Sequence, residues 1–300
     1  MVSDMNLQER YNEYDNWAWL YNTTMGPEYC QNQLQPLEKI LLPHLSQNAE
    51  ILDLCCGTGH LIKKLSEKGY QLTGFDGSEE MLEYARQNAP KSQFILGDAR
   101  SFELPERFDA VFSTSASLNH ILELEELKSV FKNVYSSLKQ NGIFLFDINH
   151  QGQMEKWWKG HLVEGEIENH FAWAITPNYN TNDQLGYFQV TIYKAPTQKR
   201  YSPLVSLQKQ FKALLYKLLS LRRLTRFRLK ILNQFSSRET DWQRSDIIYK
   251  VRGYSATEVK QVLEEVGFTD VEIRTIEGNL QLDNNHSAYF ICRKTAIKVV

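Results

Sequence analysis

The feature that most constrains the fold is an alternation of short apolar runs with amphipathic segments between residues 50 and 149. The apolar runs predict strands and the segments between them predict helices, so the chain contains repeated β-α-β units. Such units form a parallel sheet, and runs that are apolar throughout are typical of strands buried on both faces. The predicted strands cover residues 50–54, 70–76, 92–98, 108–116 and 143–149.

The first three predicted strands each end at or next to an aspartate: Asp53, Asp76 and Asp98. Because parallel strands share the edge at which their carboxyl ends lie, these three carboxylates are expected on one edge of the sheet. Ligands of open α/β sheets bind beyond that edge. The sequence therefore predicts a ligand site lined by carboxylates.

The segment ILDLCCGTGHL, residues 51–61, predicts a glycine-rich turn from a strand into a helix. The dinucleotide fingerprint G-x-G-x-x-G has three glycines, but only Gly57 and Gly59 are present here. A carboxylate at Asp53 would repel a pyrophosphate and would suit a cation. Asp76 could accept hydrogen bonds from a ribose and Asp98 from an exocyclic amine. The pattern indicates a ligand with a cation, a ribose and an aminated base, but no phosphate.

In order and spacing, five segments resemble the motifs of class I S-adenosylmethionine-dependent methyltransferases. They are ILDLCCGTGHL, LTGFDGSEEML, FILGDA, FDAVFSTSASLNHI and LKQNGIFLFDIN. The resemblance covers residues 50–150, with a closing helix and two strands after residue 250. It implies an α/β, Rossmann-like seven-stranded sheet, parallel apart from an antiparallel C-terminal hairpin strand. It also implies S-adenosyl-L-methionine as cofactor and S-adenosyl-L-homocysteine as product.

The resemblance also implies roles for individual residues. Asp53 and the loop from Gly57 to Gly59 would hold the methionine end of the cofactor, Asp76 the ribose and Asp98 the adenine. Further cofactor contacts are expected from Tyr11, Tyr21, Cys55, Gly77, Met81, Gly97, Ala99 and Ser113. Cys55 departs from the family pattern, which commonly has glycine there, so its side chain could crowd the loop.

The four cysteines, Cys30, Cys55, Cys56 and Cys292, show no C-x2-C spacing of a zinc site. A bridge between the adjacent Cys55 and Cys56 would strain the backbone. We therefore interpret this pair as small apolar packing residues, in preference to redox or metal chemistry. No metal is predicted.

Residues 1–45 resemble the helical cap of small-molecule methyltransferases of this class. Tyr11 and Tyr21 are expected to face the cofactor. The alternative is that the aromatic residues of this segment, including Trp17 and Trp19, are core anchors at helical spacing.

Methyl transfer from a sulfonium is an SN2 displacement, for which alignment and exclusion of water supply most of the assistance. His120 and Asn119 follow the fourth predicted strand and are the candidate base and substrate-orienting residue. Asp147 and Asn149, at the end of the fifth strand, are candidate substrate contacts. All four could instead cap turns. Because no strong base is evident, nitrogen is favoured over oxygen as the methylated atom.

The predicted domains are a helical cap (1–45), a cofactor-binding core (46–150), an inserted substrate cap (151–245) and a C-terminal completion of the core sheet (246–300). In the insert, residues 167–177 and 185–194 predict an antiparallel hairpin. The small-molecule members of the family carry inserts at this place, so the resemblance favours a small-molecule acceptor.

No acidic residue lies between positions 184 and 238. Apolar residues recur there at helical spacing with cations between them: Leu207, Phe211, Leu214, Leu215, Leu218 and Leu221. Such a segment could contact a membrane surface or RNA through residues 203–230, or simply be a packed helix with a solvated face. The sequence lacks the amino-methylating and Pro-Cys motifs of nucleic-acid methyltransferases, which argues against a nucleic-acid substrate.

The formal charge of −2 gives no global attraction to nucleic acid or anionic membranes. The chain starts with a polar segment and contains no apolar run long enough for a transmembrane helix, so a cytoplasmic protein is expected. A second functional hypothesis is a non-catalytic protein that uses this fold to bind cofactor and its basic insert to dock a partner or membrane. The oligomeric state is not predicted.

Overall fold

The computed structural model describes residues 11, 13–196 and 214–295. The chain forms two compact units, one of Met1–Gln153 with Arg252–Val300 and one of Met154–Val251. The division of the chain at residues 45, 150 and 245 stays a prediction.

The first unit contains a seven-stranded sheet. Its strands are β1 Glu50–Leu54, β2 Gln71–Asp76, β3 Gln93–Leu96, β4 Phe108–Ser113, β5 Leu138–Ile148, β10 Phe268–Arg274 and β11 Ala288–Lys294. Their order in the sheet is β10-β11-β5-β4-β1-β2-β3. Strands β1 to β5 pair in parallel, whereas β11 is antiparallel to both β5 and β10. The fold class predicted from the sequence is therefore confirmed.

Helices connect these strands and precede them. The α-helices of the unit are α1 Ala18–Thr23, α2 Met25–Pro36, α3 His60–Glu67, α4 Glu79–Asn88, α5 Leu124–Ser137 and α9 Ala256–Val266, and α6 Gln151–Trp157 begins in it. A π-helical turn Leu37–Leu41 and a 3-10 turn Leu42–His44 follow α2, and a second 3-10 turn, Ser117–His120, follows β4. Residues 13–15 are also helical.

The ends of two helices follow directly from the sequence. The Ser78 hydroxyl accepts a hydrogen bond from the Met81 amide at the start of α4, and Ser255 caps α9 in the same way through the Glu258 amide. One boundary differs from the prediction: the strand expected from residue 143 begins at Leu138, directly after α5 ends at Ser137.

Two apolar clusters cover the sheet. One is rich in phenylalanine and includes Phe131, Phe144 and Phe146, and the other includes Ile51 and Ile62. Full burial of such side chains contributes about 1.5–3 kcal/mol each. The sheet is therefore apolar on both faces, as its continuous apolar strands predicted, and polar side chains are left to the strand ends.

The second unit contains a four-stranded sheet. Its strands are β6 Glu164–Ile167, β7 Phe171–Asn180, β8 Leu185–Lys194 and β9 Gln243–Arg252, and they lie in this order. Residues 214–219 are helical, followed by a 3-10 turn Arg222–Leu224, α7 Thr225–Leu232 and α8 Phe235–Arg238. Leu207 and Phe211 of the predicted basic helix lie outside the described residues. Over the described ranges, the structure has no helix with the length and apolar character needed to cross a membrane.

Candidate cofactor and active site

The loop between β1 and α3 needs glycine at two positions. Gly57 and Gly59 adopt positive φ values of 52° and 73°, which side chains disfavour. A Cβ atom on Gly59 would also lie 3.0 Å from the Cβ of Ala85, so α4 packs directly against the loop. The chain can thus turn tightly from the strand end into the first turn of α3.

Cys55 occupies this loop with a φ of 65°, a left-handed conformation that costs roughly 1–2 kcal/mol for a residue with a side chain. Its side chain packs on the phenylalanine-rich cluster, whereas that of Cys56 packs on the opposite cluster. Burial raises the pKa of both thiols, which keeps them protonated and poorly nucleophilic. These are the properties of packing residues. The Cys55 side chain, which could have crowded the loop, is accommodated in it.

Asp53 ends β1 with its side chain buried. Among the described residues its Oδ2 atom has no hydrogen-bond partner, and the same holds for the buried Oγ1 of Thr58. Burial, and then the neighbouring Asp76, raise the pKa of Asp53 well above its usual value. A cationic ligand group would oppose both effects, because it favours the ionised carboxylate.

Both residues line a cavity at the carboxyl edge of the sheet. The rest of its wall is largely polar or sulfur-bearing: Tyr21, Gly26, Tyr29, Cys30, Cys55, Cys56, His60, Leu61, Thr114, Ser115 and Ser117. The wall combines residues of the N-terminal helices, the glycine loop and the segment after β4.

Asp76 ends β2 beside the glycine loop. Its carboxylate accepts hydrogen bonds from the Gly57 amide at 2.8 Å and from the Ser78 amide at 2.9 Å. Burial raises its pKa, and these amides oppose the rise. A carboxylate offers about four acceptor sites. The Gly57, Ser78 and Gly77 amides use part of this capacity, and a ribose hydroxyl could use what is left.

Asp98, predicted to contact adenine, forms a two-point ion pair in the structure. Arg100 donates from Nε to Oδ1 at 2.8 Å and from Nη2 to Oδ2 at 2.6 Å. Such pairing is among the stronger charge-assisted interactions. The adenine contact stays a prediction, and a ligand amine would share this carboxylate with Arg100.

The other predicted cofactor residues lie along the same edge. Met81 and Ser113 are buried near an end of α4 and β4, and Ala99 is buried in the turn after β3. Gly97 donates from its amide to the Asp76 carbonyl at 3.0 Å, and the Phe75 ring lies where a Cβ of Gly97 would be. Their contact with the cofactor remains a prediction.

The N-terminal helices cover the glycine loop. The Tyr21 ring lies against Gly57, where a Cβ atom would be 3.4 Å from Tyr21 Cε1, and the Tyr11 ring packs on Gly77. Burial, followed by Asp76 and Asp53, raises the pKa of the Tyr21 phenol, which therefore stays protonated. Tyr21 also lines the cavity, as a residue facing a cofactor would.

Polar contacts hold this segment in place. The Asn22 carbonyl lies 3.2 Å from His60 Nε2, and its amide oxygen accepts from Asn88 at 2.7 Å. The Ser78 hydroxyl donates to Asp15 at 2.5 Å. One wall of the cavity is therefore fixed to α3 and α4 by hydrogen bonds.

The two candidate catalytic residues after β4 have different surroundings. Nδ1 of His120 lies 2.9 Å from the Tyr14 hydroxyl. The Asn119 amide donates to the carbonyls of Asn149 and Arg252, and its oxygen accepts from the Asn149 amide. Asn119 is thus buried with its amide engaged by main chain, which is the geometry of a structural residue. The predicted role of Asn119 in orienting the substrate and that of His120 as a base stay predictions.

Asp147, at the end of β5, supports the segment that follows β4. Ser115 and Ala116 both have positive φ, 62° and 55°, and the Asp147 carboxylate accepts from the Ala116 amide at 3.1 Å. Burial raises the pKa of Asp147 to about 7. The Asn149 side chain accepts from Ser287 at 3.1 Å. Asp147 lies beneath the loop that lines the cavity.

Several cavity residues were not predicted from the sequence: Tyr29, His60, Thr114, Ser115 and Ser117. A signal for part of this set was present, because residues 113–117 read STSAS, a run of small, mostly hydroxyl-bearing residues directly after a buried strand. Tyr29 carries no such signal, because its place depends on how α2 packs.

Fold and cavity together define an α/β protein that binds a small ligand at the carboxyl edge of its sheet. Residues 51–142 match the family described as "Methyltransferase domain". An uncharacterized methyltransferase of Synechocystis is 30% identical over 182 residues, 57% of this chain and 83% of that protein. The chain therefore belongs to the class I S-adenosylmethionine-dependent methyltransferases.

Other relatives match over shorter lengths. Putative methyltransferase YqeM of Bacillus subtilis is 41% identical over 109 residues, 35% of this chain but only 44% of that protein. A dTDP-3-amino-3,4,6-trideoxy-glucopyranose N,N-dimethyltransferase of Streptomyces venezuelae is 29% identical over 139 residues, 46% of this chain and 55% of the enzyme.

The fold is shared with solved structures. An S-adenosylmethionine-dependent methyltransferase from Clostridium acetobutylicum superposes with a TM-score of 0.65 at 17% identity, covering 94% of this chain and 99% of that one. At this identity the likeness concerns the fold alone.

The residues present fit S-adenosylmethionine, the cofactor of this family. The buried Oδ2 of Asp53 and Oγ1 of Thr58 have no partners among the residues described, so they can bind a cationic, hydrogen-bonding group without breaking existing bonds. The loop of Gly57 and Gly59 allows close approach of a ligand to the backbone. Asp76 has acceptor capacity for hydroxyl groups.

Proposed function

We propose that the protein transfers the methyl group of S-adenosylmethionine to an amine of a small-molecule acceptor. The observation that carries the proposal is the wall of the cavity beyond Asp53, where the polar groups other than His60 are neutral hydroxyls: Tyr21, Tyr29, Thr58, Thr114, Ser115 and Ser117. Hydroxyls can orient a neutral amine but are poor bases. A hydroxyl acceptor usually needs a base to attack, whereas an amine that has lost its ammonium proton does not.

The two histidines near this region are engaged elsewhere through one ring nitrogen each. His60 contacts the Asn22 carbonyl, and its pKa is lowered mainly by burial. His120 contacts the Tyr14 hydroxyl. The His60 contact is with a main-chain carbonyl and not with an acidic residue that would make the imidazole a stronger base, which supports nitrogen over oxygen as the acceptor atom.

Relatives give weaker support. Besides the amino-sugar enzyme, a glycine/sarcosine N-methyltransferase of Aphanothece halophytica is 35% identical over 103 residues. A malonyl-[acyl-carrier protein] O-methyltransferase of Bacillus anthracis is 29% identical over 154 residues. Because one fold hosts both N- and O-methylation, the choice of nitrogen as acceptor atom rests on the site and not on the relatives.

In this mechanism the cofactor supplies a methyl group that its sulfonium makes electrophilic. Asp53 and Asp76 bind the cofactor, and Tyr21 excludes water from it. Hydroxyls of the segment after β4 direct the amine lone pair along the line of displacement. When bound, the cofactor would supply its methyl group to the acceptor nitrogen and leave as a neutral thioether, and the new ammonium would release its proton to solvent. Alignment of this kind supplies roughly 7–11 kcal/mol of the barrier reduction in well-oriented reactions.

A paired acceptor panel tests the proposal. Purified protein and cofactor with a labelled methyl group are incubated with amine compounds and with matched compounds in which a hydroxyl replaces the amine, for example amino and hydroxy sugar nucleotides. Label is expected in amine compounds only, with a rate that rises with pH as the acceptor ammonium deprotonates. Label in the hydroxyl compounds alone would refute amine methylation.

The remaining proposals concern the class of acceptor and the location of the protein in the cell. A small-molecule acceptor, the absence of a nucleic-acid substrate and a cytoplasmic location are supported by the sequence. The non-catalytic alternative gains no support from the relatives above, which are all named as methyltransferases.

A further inference from the structure

An apolar surface of the second unit is exposed. It comprises five side chains between 40% and 57% exposed, and we call it the leucine face: Leu214, Leu215, Leu218, Leu221 and Phe227. Five large apolar side chains within 14 residues form an unusual exposed surface for a protein that stays in water.

The orientation of this segment is fixed by the side chains that point inward. Tyr216 and Leu219 belong to the buried cluster of the unit, and the Tyr216 hydroxyl donates to Glu239 at 2.5 Å. The buried Arg228 guanidinium donates to the carbonyls of Gly165 and Leu219, each at 2.8 Å. Because these contacts hold the opposite face against the sheet, the leucine face points outward. The buried cluster of the unit is already formed by other side chains.

Cations accompany the leucine face. Lys217, Arg223, Arg226 and Lys230 are exposed on the same stretch of chain. No acidic residue occurs between positions 184 and 238, although the whole chain carries a net charge of −2. The surface therefore combines exposed apolar side chains with positive charge.

This combination identifies the partner by its chemistry. RNA would use the cations but would leave four leucines in water, and an apolar protein groove would cover the leucines but leave the cations without counter-charges. A bilayer with anionic headgroups can bind both the leucines and the cations. Apolar side chains enter the acyl boundary, while Lys and Arg stay among the headgroups. We propose that the leucine face binds the surface of an anionic lipid bilayer, independently of methyl transfer.

Vesicle sedimentation tests the proposal. The full-length protein is mixed with large vesicles of phosphatidylglycerol and phosphatidylcholine, and separately with vesicles of phosphatidylcholine alone. We expect partitioning to the anionic vesicles that falls as salt is raised, because each cation near such a surface strengthens binding about fivefold at low salt. Binding to the neutral vesicles should be at least tenfold weaker.

A double variant isolates the apolar part. Leu218→Asn with Leu221→Asn should weaken partitioning at least tenfold, because binding scales with the apolar area inserted. The matched control is Leu185→Asn with Ile248→Asn, two exposed apolar side chains of the same unit outside this face. The control should bind vesicles like the unaltered protein.

Charge is tested in the same way. Arg223→Gln with Arg226→Gln should weaken binding to anionic vesicles about 25-fold at low salt, whereas the exposed pair Lys159→Gln with Lys250→Gln should not. Because the substituted positions lie in the second unit, circular dichroism and thermal unfolding of the full chain show that each variant is folded. Titration with S-adenosylhomocysteine shows separately that the first unit is intact.

Three results would overturn the proposal. The first is a folded protein that does not bind anionic vesicles. The second is equal vesicle binding by the Leu218→Asn, Leu221→Asn variant and by its matched control, Leu185→Asn with Ile248→Asn. The third is salt-sensitive binding to an RNA oligomer in the absence of vesicle binding, which would assign the cations to nucleic acid instead.

Discussion

Replacing Asp53 with asparagine should change cofactor binding and stability in opposite directions. In the free protein the Asp53 carboxylate is buried, one of its oxygens has no partner among the described residues, and Asp76 lies close enough to raise its pKa. The side chain is therefore unfavourable for the free protein and favourable when a cation binds. Asparagine keeps the shape and removes the charge.

The size of each effect follows from the burial of the side chain. A hydrogen bond from a charged group contributes about 1.5–3 kcal/mol, so Asp53→Asn should weaken cofactor binding about 10- to 150-fold. An uncompensated buried charge costs about 3–5 kcal/mol, against about 1–3 kcal/mol for an unsatisfied neutral group. The free variant should therefore be about 2 kcal/mol more stable than the unaltered protein at pH 8.

The stability gain should depend on pH. Because the folded-state pKa of Asp53 lies above its unfolded value, the folded protein binds more protons, and stability falls as pH rises from the usual aspartate range through the raised pKa. The Asp53→Asn variant lacks this contribution, so the gain should be larger at pH 8 than at pH 5.

Two measurements test the predicted effects of Asp53→Asn on cofactor affinity and on stability. Calorimetric titration with S-adenosylhomocysteine gives the affinity, and urea unfolding of the free protein at pH 5 and pH 8 gives the stability. Asp241→Asn, at an exposed position of the other unit, is the matched control and should change neither. A variant that is less stable and binds as tightly as before would refute this account of Asp53.

Three further substitutions test the same site. Gly59→Ala should lower stability by about 2–4 kcal/mol and weaken cofactor binding, because it adds left-handed strain to a Cβ placed 3.0 Å from that of Ala85; thermal unfolding and calorimetry measure both. Asp76→Ala should cost about 2–3 kcal/mol of cofactor affinity in the same titration, and unchanged affinity would reject the ribose assignment. Asp147→Asn should flatten the pH dependence of stability: with a folded pKa of about 7 and an ordinary value of 3.8, the unaltered protein should lose up to about 4 kcal/mol between pH 4 and pH 7 and little above it. Urea midpoints across that range check the last prediction, and parallel curves for the two proteins would contradict it.

The core sheet could be predicted because its signals are local. Continuous apolar strands, helix caps at Ser78 and Ser255 and an aspartate at each of three strand ends predict the order of elements and a parallel sheet. The number of seven strands came from the resemblance to the methyltransferase family. The strand boundaries of the second unit were harder to predict from the sequence. The turn expected at residues 178–183 begins only after Asn180, because β7 extends its pairing with β8 to that residue.

The side-chain partners within the site could not be predicted, because they depend on packing. The sequence placed Asp98 on the ligand edge, but its ion pair with Arg100 depends on the loop conformation. Asn119 follows β4 as a substrate-orienting residue would, yet its amide is bonded to Arg252, 133 positions away. Pairings between distant segments leave no local periodicity to detect.

The wall formed by the N-terminal segment affects how fast the enzyme can cycle. Tyr21 lies over Gly57, and contacts of Asn22 with His60 and Asn88 hold it there. If cofactor is exchanged on this side, we expect these few bonds to break and re-form in every turnover. In many enzymes such opening, and not chemistry, limits the rate. Substitutions at Asn22 would then change the rate of product release while leaving the methyl-transfer step itself unaltered.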